Sequence, residues 1–179
     1  MDILSLVPPT IRDAAAADLE AIFAIYNREV EQSTATFDTE PRVVGIDDGW
    51  LTDRDPKRHP VLVAEEDGEV VGWASISPWS SRPAYARTAE ESVYVHVDHR
   101  RSGVGRALLA DAVGRARKAG LGVLVARIAE ARSESVNLHA SLGFERIGTM
   151  RACGEKFGRL LDVELMELHL DWARPPRPL

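Results

Sequence analysis

The chain has 179 residues, 45% of them hydrophobic and 28% charged, which is enough for one domain with a buried core and too little for two full ones. Its 28 acidic residues outnumber 22 basic ones, for a formal charge of −6, and that balance argues against a surface that coats nucleic acid. No apolar run reaches bilayer-spanning length, and the opening MDILSLVPP has neither the basic flank nor the length of a secretory signal, so a cytoplasmic protein without membrane contact is expected. The single cysteine, Cys153, excludes an intrachain disulfide and reads as a packed, reduced thiol. His59, His96, His99, His139 and His169 form no HExxH pair and no CxxC accompanies them, so no metal is expected.

Hydrophobic periodicity switches repeatedly between about two and about 3.6 residues, the mark of an α/β layer architecture. Residues 1–9 read as an N-terminal extension, residues 10–171 as the domain, and residues 172–179 as a Pro-rich tail expected to fray. A short extended segment at Thr10–Arg12 precedes a first amphipathic helix carrying Leu19, Ile22, Phe23, Tyr26 and Val30. After a polar loop, Val61–Ala64 and Val70–Ile76 read as antiparallel strands joined by Asp67-Gly68, a strong hairpin signal. Ser92–Val97 alternates as a third strand of this group and leads into a helix with Val104, Leu108, Ala112 and Val113 on one face, stopping at Gly120. Val123–Ile128 follows as a strand, then a short helix at Ser133–Leu142 closed by Gly143, and an extended region from Phe144 to Met150. The last strand, Leu161–Leu170, changes phase near Met166, which suggests a bulge.

The junction between the strand at 92–97 and the helix at 104 reads Arg100-Arg-Ser-Gly-Val-Gly105. A helix N-terminus offers unpaired N–H groups and the positive end of the macrodipole. Gly103 and Gly105 let an anion approach the main chain, and Arg100, Arg101 and Arg106 add charge, a combination suited to a diphosphate. The Walker pattern fails for want of a lysine followed by Ser or Thr, and the dinucleotide fingerprint fails because Leu108 stands where its third glycine belongs. The competing reading of this loop by itself is a glycine turn with solvated arginines.

The loop matches every fixed position of [QR]-x-x-G-x-[GA], and the chain here resembles the GNAT acetyltransferase superfamily. The likeness extends from about Thr10 to Asp171 through Ile25-Tyr-Asn27, Ser33–Pro41, Pro78-Trp79, Thr88-Ala-Glu90, Val93-Tyr-Val95, Ser135–His139, Leu142-Gly-Phe144 and Gly154-Glu-Lys-Phe-Gly158, and looks most like the phosphinothricin and methionine-sulfoximine acetyltransferase group. The resemblance implies an α/β (α+β) fold, a mixed and mostly antiparallel sheet flanked by helices, with acetyl-CoA in a cleft between splayed fourth and fifth strands. It also implies a homodimer and a small-molecule amine acceptor. Two positions depart from the group: Arg132 stands where it usually has an Asn on the cofactor arm, and Leu160 where it tends to have Trp.

What the resemblance implies for single residues can be set beside their plainer readings. Glu90, expected at the mouth of its strand, is the general-base candidate, acting through water; by itself it and Glu91 read as a solvated strand entrance. His139 would protonate or hydrogen-bond the leaving thiolate, whereas a lone helix histidine is ordinarily a surface or packing residue. Val95, His96 and Val97 would serve the pantetheine arm and thioester through their main chain, and Arg100, Arg101, Ser102, Gly103, Val104, Gly105 and Arg106 would cradle the pyrophosphate. Phe37, Arg82, Tyr85, Val93 and Tyr94 would line the acceptor pocket, with Arg82 reading a carboxylate; their plain alternatives are a loop aromatic, a solvated arginine and sheet residues.

The expected function is acetyl-CoA-dependent N-acetylation of the α-amine of a small amino-acid-like acceptor by direct transfer. A cysteine-nucleophile route through Cys153 is disfavoured, because no catalytic signature surrounds it. The rival expectations are acetylation of a protein or peptide N-terminus and a CoA-binding sensor without turnover.

Overall fold

The computed structural model describes residues 8–170. The tail and all of the N-terminal extension but residues 8 and 9 lie outside the described residues. In chain order the elements are β1 (Thr10–Asp13), α1 (Leu19–Gln32), the single turn α2 (Gly49–Thr52), β2 (Val61–Glu66), β3 (Glu69–Pro78), β4 (Thr88–Val95), α3 (Val104–Lys118), β5 (Val123–Ala129), α4 (Ser133–Ala140), β6 (Glu145–Lys156) and β7 (Arg159–His169). The strands form one seven-stranded sheet in the order β1-β2-β3-β4-β5-β7-β6. Every neighbouring pair is antiparallel except β4 with β5.

The unbroken apolar run Val61–Ala64 follows from a sheet covered on both faces. Leu62 and Ala64 enter a core with Leu108, Leu109 and Ala112 of α3. Val61 and Val63 enter a second core with Leu19, Ile22 and Phe23 of α1. The amphipathic spacing of α1 and α3 thus holds one helix against each face of the same strands.

The phase change in β7 has the same origin, and no bulge lies in that strand. β7 runs in unbroken register along β5 from Val123↔His169 to Ala129↔Val163. Leu161 and Val163 are buried on one face and Met166, Leu168 and Leu170 on the other, so the burial changes side while the backbone stays regular. The irregularities sit in the edge strand β6, between Arg146 and Gly148 and between Met150 and Gly154, where a partner strand on one side alone leaves room for extra residues.

β4 begins at Thr88, earlier than the alternation of Ser92–Val97 suggests, and ends at Val95; Val97 belongs to a 3-10 turn at Val97–His99. Glu90 therefore lies within the strand, opposite Ser77 of β3 and Val125 of β5. The parallel pairing of β4 with β5 covers only Thr88↔Val123, Ala89↔Leu124 and Glu90↔Val125. Beyond it β4 stays with β3 as far as Gly72↔Val95 while β5 stays with β7, and the two halves of the sheet part.

α3 is seated closely on the half that carries β4. A Cβ on Gly72 would stand 3.0 Å from the Tyr94 carbonyl oxygen and 3.1–3.2 Å from Leu108 and Val104. Gly72→Val should therefore lower unfolding stability by about 1–3 kcal/mol through overpacking, read as a shifted denaturant midpoint at unchanged m-value.

Candidate active site

The parting of β4 and β5 opens a cleft of about 490 Å3. Val93 and Val95 line it from β4, Ile128 and Ala129 from β5, and Ser135, Leu138 and His139 from α4. Its far end is the N-terminus of α3, where Gly103 caps the helix with φ +98°, a left-handed conformation that favours glycine. Gly105 takes no such angle; a Cβ there would stand 3.4 Å from Leu138 and 3.5 Å from Val95, inside the cleft. The loop thus offers helix N–H groups at a surface kept free of side chains, which fits a diphosphate.

The arginines around it are less free than their number suggests. Arg100 donates through Nη2 to Glu29 Oε1 (2.5 Å) and through Nε to the Val95 carbonyl (3.2 Å), so this carbonyl of β4 is already taken. Arg106 reaches the Ser141 hydroxyl at 2.5 Å. Arg101 and Arg132 also line the cleft, which puts Arg132 at its wall. Val95, Arg100, Arg101, Gly103, Gly105 and Arg106 are thus brought together as expected. His96, Val97, Ser102 and Val104 are not among the residues that line it: the His96 N–H donates to the Val71 carbonyl at 2.8 Å, Ser102 donates to the His99 carbonyl, and the Val104 side chain is fully buried in the core.

A second, smaller cavity of about 220 Å3 opens on the α1 side of β4. Phe23, Tyr26, Trp50 and Trp73 supply aromatic walls, with Trp73 stacked on Tyr94 at 4.8 Å and Tyr26 edge-on to Tyr94 at 5.2 Å. Burial pushes the Tyr26 phenol up to about 12 and raises Tyr94 as well, so both rings stay neutral hydrogen-bonding groups. Arg42 lies over Tyr26 and Trp50 at 5.2 and 5.4 Å and reaches Asp38 at 3.5 Å. Ser92, Tyr94 and Arg127 line both cavities, so the two meet along one side of β4.

Glu90 faces this junction, and its Oε1 accepts from Arg127 Nε at 2.6 Å. Glu91, one residue on, points to the opposite face as strand alternation requires. It is buried, and its Oε1 accepts from His139 Nε2 at 2.6 Å, while Nδ1 of the same ring donates to the Ser135 carbonyl at 2.6 Å. Nδ1 donates to a carbonyl and one proton is shared between Nε2 and the Glu91 carboxyl, a placement that favours the charged form of the ring. Burial disfavours that charge, but Glu91 and the Ser135 carbonyl outweigh it and raise the His139 pKa above its usual value. The expectation of a histidine free to protonate a leaving group is corrected accordingly: Nε2 is held by Glu91.

Three expected acceptor residues are not brought to either cavity. Arg82 and Tyr85 are exposed on the β3–β4 connection, in and beside a 3-10 turn at Pro83–Tyr85. Phe37 packs over Gly154 of β6, where a Cβ would collide with its ring. Val93 and Tyr94 do line the cleft. Cys153 is exposed on β6 rather than packed, and no group of three or more metal-ligating side chains occurs among the described residues. Glu91, Arg127, Arg42 and Trp73 belong to the site although the sequence does not single them out; for Arg127 the available signal is a lone charge inside the apolar run Val123–Ala129.

A sheet parted after a short parallel pairing, with a glycine-lined helix N-terminus at the end of the gap, defines an open-cleft α/β protein with an anion-binding end. The Acetyltransferase (GNAT) family model matches residues 19–144, and the chain belongs to that family and is an N-acetyltransferase. It is 43% identical over 166 residues, 92% of this chain and 96% of the other, to the L-methionine sulfoximine/L-methionine sulfone acetyltransferase of Pseudomonas aeruginosa. The phosphinothricin acetyltransferase of Sinorhizobium meliloti, solved in complex with acetyl-CoA, superposes with a TM-score of 0.84 at 37% identity, covering 90% of this chain and 88% of that one. The ribosomal-protein-alanine N-acetyltransferase of Brucella melitensis superposes at 0.87 with 41% identity, over 90% and 99% of the two chains.

The raised His139 pKa sets a pH dependence of stability. The pair contributes fully below the ordinary histidine value of about 6.5 and is lost as pH rises through the higher native value. Melting temperature should therefore decline across that window in the wild type, and the decline should flatten in His139→Gln, followed by thermal denaturation at stepped pH.

Proposed function

We propose that the protein transfers acetyl from acetyl-CoA directly to the α-amine of a small amino-acid-like molecule. The observation that carries this reading is the position of Glu90, a carboxylate that lines the cavity on the α1 side and pairs with Arg127, which lines both that cavity and the cleft. Acetyl-CoA, when bound, supplies an activated thioester. In this reading the N–H groups around Gly103–Gly105 hold its diphosphate, with Arg101 and Arg132 adding charge at the wall, and the cleft-lining strand edges hold its arm. Glu90 accepts the proton that the acceptor ammonium must lose, directly or through water. His139 stays bonded to Glu91 at the cleft wall, with both ring nitrogens engaged, and so fixes the wall without serving as a proton donor.

The similarity to a methionine sulfoximine/sulfone acetyltransferase and a phosphinothricin acetyltransferase supports an amino-acid-like acceptor. The similarity to a ribosomal-protein-alanine N-acetyltransferase favours a second reading, a peptide N-terminus. The small aromatic cavity beside Glu90 suits a free amino acid better. A homodimer belongs to the same proposal: β6 ends the sheet with one edge unpaired, and Ile147, Met150 and Leu160 stand exposed on or beside it.

Gly105→Val fills the cleft without demanding a new backbone angle, so the folded variant should lose acetyl-CoA binding in calorimetry; unchanged affinity would place the cofactor elsewhere. Glu90→Gln keeps the volume and removes the base, and kcat/KM should fall by roughly 10²- to 10⁴-fold. The loss should be deepest at low pH, where most acceptor amine is protonated, and a pH–rate profile superimposable on the wild type would remove Glu90 from the reaction.

A further inference from the structure

The Glu90–Arg127 pair sits where the two halves of the sheet begin to part. Glu90 is the last residue of β4 paired with β5, opposite Val125. Arg127 is two residues farther along β5, on the same face as Val125, and its Nε meets Glu90 Oε1 at 2.6 Å. The bridge therefore spans the first unpaired step between the two strands. Arg127 lines both cavities, and its side chain is 54% exposed against 19% for Glu90. A pair so wet on one side is cheap to exchange for other partners.

An anion and a cation presented side by side complement an α-amino acid zwitterion, whose ammonium and carboxylate are joined through one carbon. We propose that Glu90 and Arg127 form a split receptor for that zwitterion: the acceptor's ammonium takes Glu90, its carboxylate takes Arg127, and one ion pair is exchanged for two. This rests on the N-acetyltransferase reading above and names what it leaves open, the group that recognises the acceptor carboxylate. The planar guanidinium retains donors beyond the Nε that meets Glu90, so a carboxylate can be held as a fork. Arg127 is the specificity-determining residue, and Glu90 meets the amine it will deprotonate.

The other cations nearby are less suited. Arg82 is exposed on the β3–β4 connection and lines neither cavity. Arg42 lines the smaller cavity but is stacked on Tyr26 and Trp50 and faces Asp38. Arg54 is committed to the Trp50 and Ile76 carbonyls. With the carboxylate on Arg127 and the amine on Glu90, the acceptor's side chain is directed into the aromatic cavity among Phe23, Trp50 and Trp73. A peptide N-terminus has an amide where the carboxylate would be and forgoes the Arg127 contact, so the receptor selects free amino acids.

The test uses matched acceptors, L-methionine sulfone and its carboxamide, with initial rates followed as CoA release. Arg127→Ala should raise KM for the acid at least tenfold and leave the amide within about twofold, collapsing the acid-over-amide preference of the wild type. Arg127→Lys should recover part of that preference, and Arg127→Gln, which keeps the bulk without charge, should behave as Ala. Thermal melting establishes that each variant is folded; at an exposed strand position at least one of the three is expected to be. An unchanged acid-over-amide ratio in the folded variants, or an equal loss on both acceptors, overturns the receptor while leaving the acetyltransferase reading in place. A wild type that acetylates the amide and not the acid does the same. A wild type that releases CoA with neither acceptor overturns the receptor and the amino-acid reading beneath it.

Discussion

The interaction on which the site depends is one that stops: the parallel pairing of β4 with β5 ends after three residue pairs. Main-chain groups freed in a sheet interior must find other partners or carry a desolvation cost. Arg100 answers part of that need at the Val95 carbonyl, and a short strap ties the two halves together. The strap, residues 33–38, leaves α1 and bridges the two halves: the Tyr94 hydroxyl of β4 reaches the Ala35 carbonyl at 3.5 Å, and Thr34 donates to Glu130 beyond β5 at 2.6 Å. Lys156 at the end of β6 donates to the Thr36 carbonyl at 2.8 Å. The halves are thus held at a fixed separation by contacts that run past the cleft, and its strand edges remain available to a ligand.

Strand alternation then assigns two adjacent carboxylates to different duties. Glu90 faces the smaller cavity, keeps water contact and pairs with an exposed arginine. Glu91 faces the other side, is 4% exposed, and pairs with a histidine that is 2% exposed. A buried pair contributes little net stability over well-packed apolar residues, yet loss of either partner leaves an unpaired buried charge. The second oxygen of Glu91 has no hydrogen-bond partner, so the pair already lacks one contact. Its value lies in fixing the orientation of the His139 ring at the cleft wall, edge-on to Phe144 at 5.1 Å.

The parts of this arrangement that the sequence discloses are those written in local pattern. The Arg100–Gly105 loop, the α1 and α3 stripes and the Asp67-Gly68 hairpin each depend on residues close in the chain, and each is where periodicity and turn chemistry put it. What local pattern misreads depends on partners distant in sequence. The burial switch in β7 resembles a bulge until both faces of the sheet are seen to be covered. The start of β4 is hidden because Thr88–Glu91 lacks an apolar alternation, although Glu91 is as buried as a core residue once His139 meets it. Arg82 looks apt for an anion by type, but nothing local shows that its loop stays outside the cavities. Arg127 gains a role only because a strand 37 residues away brings Glu90 to it.

The same dependence on distant partners explains how an acidic chain of net charge −6 can hold a polyanion. Arg100 opens the glycine loop yet is tied to Glu29 and the Val95 carbonyl, so its charge is largely neutralised by the protein. Glu29 in turn accepts from Ser33 at 2.6 Å, and its carbonyl accepts from Lys156 at 3.3 Å. Glu29 at the end of α1 therefore joins the anion loop and the strap through its carboxylate and the β6–β7 end of the sheet through its carbonyl. In the proposed binding mode, selectivity for a diphosphate at that loop rests on fixed N–H groups and on the absence of side chains, with Arg100 and Arg106 acting mainly to hold the loop in shape. An anion lacking the geometry to meet several N–H groups gains less from such a loop, because two of the cations beside it, Arg100 and Arg106, are already engaged.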